Sequence, residues 1–292
     1  MDNSTPTIPR YVLPLIVFAQ FAGVCVWLAG NAVVDDLREG LGLPQGVLGN
    51  ITGAVQMGFI AGTLAFAFFL IADRFAPTRV FLICSLLGGL MNAGMLLPSL
   101  EYESLLLLRF FTGFCLAGIY PVGMKIAADW FDSNLGKAMG YLVGALVLGT
   151  AFPHLSRYLF ANLPWQLVVL SSTILAMTGG LVLFFGLGDG PYRKKSAALN
   201  PLALREAFRN VSVRGAALGY FGHMWELYAF WVFVPLFLPM YRGWSEFSPD
   251  ISLLSFVIIA SGMLGCVAGG YLSLKRGSKW VAAGMMWISG SC

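Results

Sequence analysis

Long apolar runs separated by short charged stretches dominate the hydropathy pattern of this chain. A helix needs about 20 mostly apolar residues to cross the roughly 30 Å hydrocarbon core of a bilayer. Eight runs reach that length with at most two charges each: 11–34, 46–72, 80–100, 104–128, 138–160, 164–188, 211–240 and 251–274. A ninth run starts at Trp280 and stops at Cys292, and such a short helix rises only about 20 Å. The pattern predicts eight complete spanning helices and the start of a ninth, and we expect a truncated chain because a helix ending in mid-bilayer strands its last carbonyls.

The composition excludes a water-soluble domain and a nucleic-acid partner. The chain has 292 residues, of which 58% are hydrophobic and 11% are charged, whereas soluble domains carry about 25% charged residues. The net charge of +4 is spread over short loops and is not gathered on one face, which is typical of membrane topology. The sequence therefore predicts a multi-pass protein whose partners include the lipid bilayer.

Lys and Arg placement predicts the orientation, because cytoplasmic loops carry an excess of both residues. With the N-terminus in the cytoplasm of a bacterial-type plasma (inner) membrane, the outer segments hold only Arg38, Arg157 and Arg242. Arg109 lies inside a predicted helix, and the inner segments hold all the others: Arg10, Arg74, Arg79, Lys125, Lys137, Arg193, Lys194, Lys195, Arg205, Arg209, Arg214, Lys275, Arg276 and Lys279.

No cofactor, metal or catalytic constellation is predicted. The five cysteines include no CxxC pair, and the only histidines are His154 and His223, which is too few for a histidine-rich metal site. A phosphate-binding loop, an HExxH motif and a Ser-His-Asp set are all missing from the sequence, so ATP-driven pumping and a membrane-embedded enzyme are unsupported.

A basic linker divides the chain into two groups of helices. Residues 1–187 form a predicted six-helix bundle, 188–210 a cytoplasmic linker with a short surface helix near Leu202–Phe208, and 211–292 an incomplete second bundle with helices 7, 8 and the start of 9. Short basic loops at 72–79 and 273–279 occupy the same topological place about 200 residues apart, as in the repeated halves of transporters.

Three stretches carry a resemblance to a known family. The loop after the second run keeps Asp73-Arg74, although Phe69 and Ala76-Pro77 replace the glycines and arginine of a Gly-x-x-x-Asp-Arg-x-Gly-Arg loop. The fourth run opens with Arg-Phe-Phe-Thr-Gly-Phe-Cys-Leu-Ala-Gly at 109–118. The junction to the fifth run reads Trp130-Phe131, then Gly-Lys-Ala-Met-Gly at 136–140. Together these stretches resemble the major facilitator superfamily, loosely its prokaryotic solute and anion permeases, over the whole chain.

The resemblance implies an all-α integral membrane fold of the major facilitator type, with a complete N-terminal six-helix half and a partial C-terminal half. It also implies that helices 1, 4, 7 and 10 line a central cavity. Asp73 and Arg74 correspond to the family's conformational latch, to which we add Arg79 and Asp129.

Ionisable residues inside the predicted helices are the first candidates for function, because each costs about 2.5–3.5 kcal/mol to insert. Arg109 is predicted to receive an anionic substrate or a carboxylate, with a structural or snorkelling arginine as the alternative. Glu226 and His223 share a helical face and are predicted to carry protons, with a fixed packing pair as the alternative. Lys125 and Asp129 are four residues apart and pair with each other, or else Lys125 serves as a gate or substrate lysine.

Polar and aromatic residues complete the predicted site. Gln20, Trp27 and Asn31 fall on one stripe of the first helix. Tyr120 lies on the fourth helix, and the seventh carries Trp225, Tyr228 and Trp231. For each of them, ordinary packing is the alternative.

The sequence therefore predicts transport of a small molecule or ion by alternating access, coupled to protons. The alternative is a truncated remnant without transport activity, or one that needs a partner chain.

Overall fold

The computed structural model describes residues 8–44, 46–132, 135–193, 209–242 and 250–291. Every regular element in this part of the chain is helical, which confirms the predicted all-α class. Within the described residues, seven helices are long and apolar enough to span a membrane, and the protein is a multi-pass membrane protein. The predicted surface helix near Leu202–Phe208 lies outside the described residues.

The helices follow the predicted runs, with three of them divided. In chain order they are α1 (Val12–Val24), α2 (Ala29–Ala32), α3 (Val34–Leu41), α4 (Val47–Phe68), α5 (Ile71–Arg74), α6 (Pro77–Ala93, extended by a 3-10 turn at Gly94–Leu96), α7 (Tyr102–Leu116), α8 (Tyr120–Trp130), α9 (Leu135–Leu159), α10 (Gln166–Gly186), α11 (Val211–Arg242), α12 (Ile251–Arg276) and α13 (Ser278–Ser289).

The first predicted helix is the main difference between expectation and structure. Instead of one helix over 11–34, α1 ends at Val24, turns occupy residues 25–28, and the chain resumes as α2 and α3. The fourth predicted helix is interrupted in the same way at residues 117–119, between α7 and α8. Both interruptions lie among buried residues, so their unpaired backbone groups need partners from neighbouring helices.

The helices before residue 187 pack around α1, which contacts α8, α9 and α10. Beside it, α4 lies against α7, and α6 packs between α7 and α10. Glycines allow the closest approach: a methyl group added at Gly58 or Gly113 would fall on the backbone carbonyl of Phe110 or Val55, respectively. The α4–α7 contact therefore depends on two positions without side chains.

The later helices join this group mainly through α12, which packs along α9. Tyr228 of α11 stacks on Trp27 in the turn after α1, while α13 contacts α12 and the side of α11 that carries Glu226. The division at residues 187 and 210 stays a prediction. Following the predicted orientation, we call the end that carries Asp36 and Arg157 the outer end, and the end that carries Asp73 the inner end.

Candidate functional site

The interruption of the first helix is held by Arg109. Its guanidinium lies fully buried on α7 and donates from both terminal nitrogens to the Val26 carbonyl at 3.2 Å and from Nη2 to the Trp27 carbonyl. Because those carbonyls lie at the gap between α1 and α2, they have lost helical partners, and the arginine replaces them. Arg109 thus fixes the backbone on which Trp27 stands.

Asn92 of α6 connects Arg109 to a third helix. Its side-chain oxygen accepts from Arg109 Nη1 at 3.1 Å, and its amide donates to Thr173 Oγ1 at 3.0 Å and to the Val169 carbonyl at 3.3 Å. All four terminal donations of Arg109 go to protein groups, and Nε has no hydrogen-bond partner among the described residues. The predicted anion contact of Arg109 stays a prediction, and the structure gives the residue a backbone-positioning geometry.

Four aromatic side chains form a stack where the early and late helices meet. Trp27 is fully buried, lies 4.8 Å from the Phe59 ring centroid and is stacked on Tyr228 at 5.6 Å with an interplanar angle of 24°. Trp231 then meets Tyr228 edge-on at 5.5 Å. We call Trp27, Phe59, Tyr228 and Trp231 the aromatic stack. It brings together three predicted site residues, Trp27, Tyr228 and Trp231, and Tyr120 packs on the same core.

Two buried amides lie above and below Trp27 along the first helix. Gln20 is fully buried, and neither polar atom of its side chain has a hydrogen-bond partner among the described residues. Its Oε1 occupies the space that a side chain at Gly123 would fill. Asn31 donates to Thr52 Oγ1 at 2.8 Å and leaves its own Oδ1 without a partner in the described part of the chain. Unsatisfied buried amides are costly, which marks both as groups able to bind a solute or water.

A cavity of about 410 Å³ lies at the outer end between α2–α4 and α9 on one side and α11–α12 on the other. Its polar lining includes Asn31, Asp36, His154, Arg157 and Ser255, and Trp231 of the aromatic stack also lines it. Arg157 Nη2 lies 2.9 Å from Asp36 Oδ2. His154 is only 4% exposed, and its Nε2 has no hydrogen-bond partner among the described residues.

Neither His154 nor Arg157 was predicted as a site residue. The sequence signal was their spacing: two ionisable residues three apart in an otherwise uncharged outer half of a helix share one face. Arg157 was used only as a charge of the outer segments in predicting orientation, and it lies in the last turn of α9.

Glu226 and His223 lie away from the aromatic stack. Both side chains are exposed on α11, and Glu226 accepts a hydrogen bond from the Ser289 hydroxyl of α13. Trp225 on the same helix is 82% exposed. Among the described residues, Glu226 forms no hydrogen bond with Arg109 or Trp27. The proton-carrying role of Glu226 and His223 therefore stays a prediction.

The inner end of the early helices is held by charges. Lys125 Nζ lies 3.3 Å from Asp73 and 3.2 Å from Asp129, so it bridges the loop after α4 to α8. Arg193 donates to the Phe75 carbonyl at 2.9 Å and pairs with Asp189. Arg74 and Arg79 are exposed there and form no ion pair with another described residue. The latch role of these residues stays a prediction.

A glycine seam joins α9 to α12 at the inner end. A methyl group on Gly140 would lie 2.9 Å from the Cys266 carbonyl oxygen and 3.0 Å from the Gly270 Cα. The Tyr141 and Tyr271 hydroxyls are 3.1 Å apart, and Lys137 Nζ lies 5.2 Å above the Tyr271 ring. The two helices are therefore in backbone contact at the inner end, whereas at the outer end both contribute residues to the lining of the cavity.

Comparisons with known proteins agree with this architecture. The sequence profile described as Major Facilitator Superfamily matches residues 15–292. A methylamine utilization protein of Methylophilus methylotrophus is 33% identical over 57% of this chain and 53% of its own length. A probable sulfoacetate transporter of Cupriavidus necator is 24% identical over 81% of this chain and 58% of its own. A galacturonate transporter of Dickeya chrysanthemi is 24% identical over 65% and 60%, respectively.

Among solved structures, the fold resembles a bacterial homologue of the human lysosomal transporter Spinster in an inward-facing and occupied conformation. The TM-score is 0.62 at 17% identity, over 94% of this chain and 63% of that one. At this identity the likeness establishes the fold alone. The chain thus spans a little over half to about two thirds of the length of these proteins.

Proposed function

Because the chain belongs to the major facilitator superfamily, we propose that it moves a small solute across the membrane by alternating access, coupled to protons. The observation that carries this proposal is the outer cavity whose lining reaches the aromatic stack at Trp231. Cavities of about 300–1,000 Å³ hold small molecules in proteins, and about 410 Å³ falls within that range. Transport is the function that both the family and the buried polar groups favour.

The contrast between the two ends of the α9–α12 contact supports the proposal of alternating access. At the outer end, His154 and Ser255 line a cavity. At the inner end, Gly140 and Gly270 bring the two backbones together. Opening the inner end requires the glycine seam to part and the Tyr141–Tyr271 contact to break. Small residues at such a contact let two helices rock against each other.

The relatives suggest which solutes to test first. The Cupriavidus necator and Dickeya chrysanthemi proteins are named for sulfoacetate and galacturonate, and both compounds carry an acidic group that is ionised at neutral pH. Methylammonium serves as the cationic comparison, because the Methylophilus methylotrophus relative is named for methylamine utilization. The proposal requires that at least one of these three solutes is carried.

Proton coupling is assigned to Glu226 with His223. An ionisable side chain within a span is expensive and usually functional, and Glu226 is the only acid within the described part of α11. We expect Glu226→Gln to abolish uphill uptake driven by an imposed proton gradient while retaining solute exchange, which needs no net proton movement. Unchanged proton-driven uptake by this variant would exclude Glu226 as the coupling residue.

The direct test is counterflow with the full-length protein in liposomes preloaded with unlabelled sulfoacetate or galacturonate. Transient accumulation of the labelled compound above the level of empty liposomes supports transport. Absence of accumulation with every solute would favour a remnant without activity, and activity restored by a second membrane protein would favour a requirement for a partner chain.

A further inference from the structure

Asn31, His154 and Arg157 line the outer cavity and lie outside the aromatic stack. His154 and Arg157 lie on the same face of α9, one turn apart, and Asn31 of α2 lies on the same side of the cavity, at the end of the interrupted first helix. Nothing in the resemblance to the family assigned any role to His154 or Arg157.

Arg157 has hydrogen-bonding capacity left. Its Nη2 is 2.9 Å from Asp36 Oδ2, yet that oxygen has no partner in hydrogen-bond geometry among the described residues. The ion pair therefore places two opposite charges side by side. A guanidinium has five N–H donors, and donors of Arg157 remain available for another acceptor. Because both side chains are about one quarter exposed, a solute that enters the cavity can reach the guanidinium.

His154 is an independent indication of a ligand. The residue is only 4% exposed and lines the cavity, and its Nε2 has no hydrogen-bond partner in the described part of the chain. A buried imidazole nitrogen without a partner has lost its hydrogen bonds to water and has gained none from the protein, which costs free energy. A solute oxygen placed between His154 and Arg157 would satisfy it.

We propose that Arg157, His154 and Asn31 form the entry site for a solute bearing a carboxylate or sulfonate group, with Asp36 as a resident competitor for Arg157. The solute's anionic group accepts hydrogen bonds from the guanidinium of Arg157, from His154 Nε2–H and from the Asn31 Nδ2–H that is not directed at Thr52, and Asp36 is released. This inference rests on the proposed transport function and names the chemical class of its substrate.

Because both acids at the cavity already have an arginine partner, the cavity favours an anionic solute over a cationic one. The acids at the cavity are each beside an arginine, Asp36 by Arg157 at 2.9 Å and Asp35 by Arg38 at 3.6 Å. Asp35 also has a side chain that is 76% exposed, so it lies at the rim. Arg157 and the unpartnered His154 Nε2 lie deeper in the cavity, together with two oxygens that have no hydrogen-bond partner among the described residues, Asn31 Oδ1 and Asp36 Oδ2. A guanidinium binds planar carboxylates with two parallel hydrogen bonds, and Arg157 offers that geometry inside the cavity.

The test compares variants of Arg157 and Asp36, for which we expect opposite changes in the KM of counterflow. With the anion that the wild-type protein exchanges, we expect Arg157→Gln to raise the KM of counterflow about tenfold or more, since hydrogen bonds to a charged group are strong. His154→Ala should raise KM severalfold. Asp36→Asn should lower KM, because it removes the competitor. Arg276→Gln, which changes an exposed arginine away from this cavity, is the matched control.

The outcomes separate this inference from the proposed function. If wild-type protein exchanges neither sulfoacetate nor galacturonate nor methylammonium, the transport proposal itself fails. If wild-type protein exchanges an anion but Asp36→Asn and Arg157→Gln raise KM alike, or neither changes it, the pair is a structural tie and the entry site is refuted. Exchange of methylammonium that is unaffected by Arg157→Gln would also refute it.

Discussion

Replacing Arg109 tests whether the interrupted first helix depends on one side chain. Arg109→Gln removes the donors of three acceptors on neighbouring helices: the Val26 carbonyl, the Trp27 carbonyl and Asn92 Oδ1. Interhelical hydrogen bonds in membranes contribute about 0.6–1.7 kcal/mol each, so three lost acceptors amount to about 2–5 kcal/mol. The loss falls on the segment that carries Trp27 into the aromatic stack.

The assay pairs stability with transport. We expect Arg109→Gln to lower the apparent melting temperature of the detergent-solubilised protein by roughly 5 °C or more and to lower the maximal rate of counterflow. Arg109→Lys should rescue little, because an ammonium cannot replace both terminal nitrogens of the guanidinium. Arg276→Gln serves as the control for a lost positive charge.

A direct substrate role for Arg109 would give a different result. In that case the variants would keep the wild-type melting temperature while KM for the anion rises. Such a result would refute the positioning account and restore the role predicted from the sequence.

Two further substitutions test the inner end. Gly140→Ala places a methyl group 2.9 Å from the Cys266 carbonyl oxygen, so α9 and α12 must separate, and we expect faster thiol labelling of a Ser273→Cys reporter. Gly265→Ala, where an added methyl meets nothing within 4 Å, is its control, and equal labelling in both would contradict the seam. Lys125→Gln leaves Asp73 and Asp129 without their shared cation. We expect a stability loss of about 1 kcal/mol, partly recovered in the Lys125→Gln/Asp73→Asn double variant. Full stability of the single variant would show that the bridge contributes nothing.

The spanning helices were predictable from local sequence because an apolar run of sufficient length has few alternatives in a bilayer. The gap at residues 25–28 could not be predicted from local sequence. Its residues are apolar and lack Pro and Gly, and its carbonyls are satisfied by Arg109, 82–83 residues away. Only the tertiary contact makes the interruption stable.

The site was predictable to the extent that single residues are unusual for their surroundings. Trp27 and Tyr228 stood out as large amphipathic side chains, and the structure brings them together. Arg157 was missed because its partner, Asp36 of α3, is distant in sequence. His154 was missed because local sequence does not show that its imidazole is buried at the cavity. Glu226 was singled out for its charge, but sequence alone could not indicate which side of α11 faces the stack.

Transport through the outer cavity is most directly tested by blocking that cavity. A cysteine introduced at Ser252, which lines it, is reacted with a bulky methanethiosulfonate reagent, with wild-type protein treated in parallel. The account predicts that labelled Ser252→Cys protein loses counterflow of sulfoacetate or galacturonate and that excess solute slows the labelling. Full counterflow after complete labelling would contradict it.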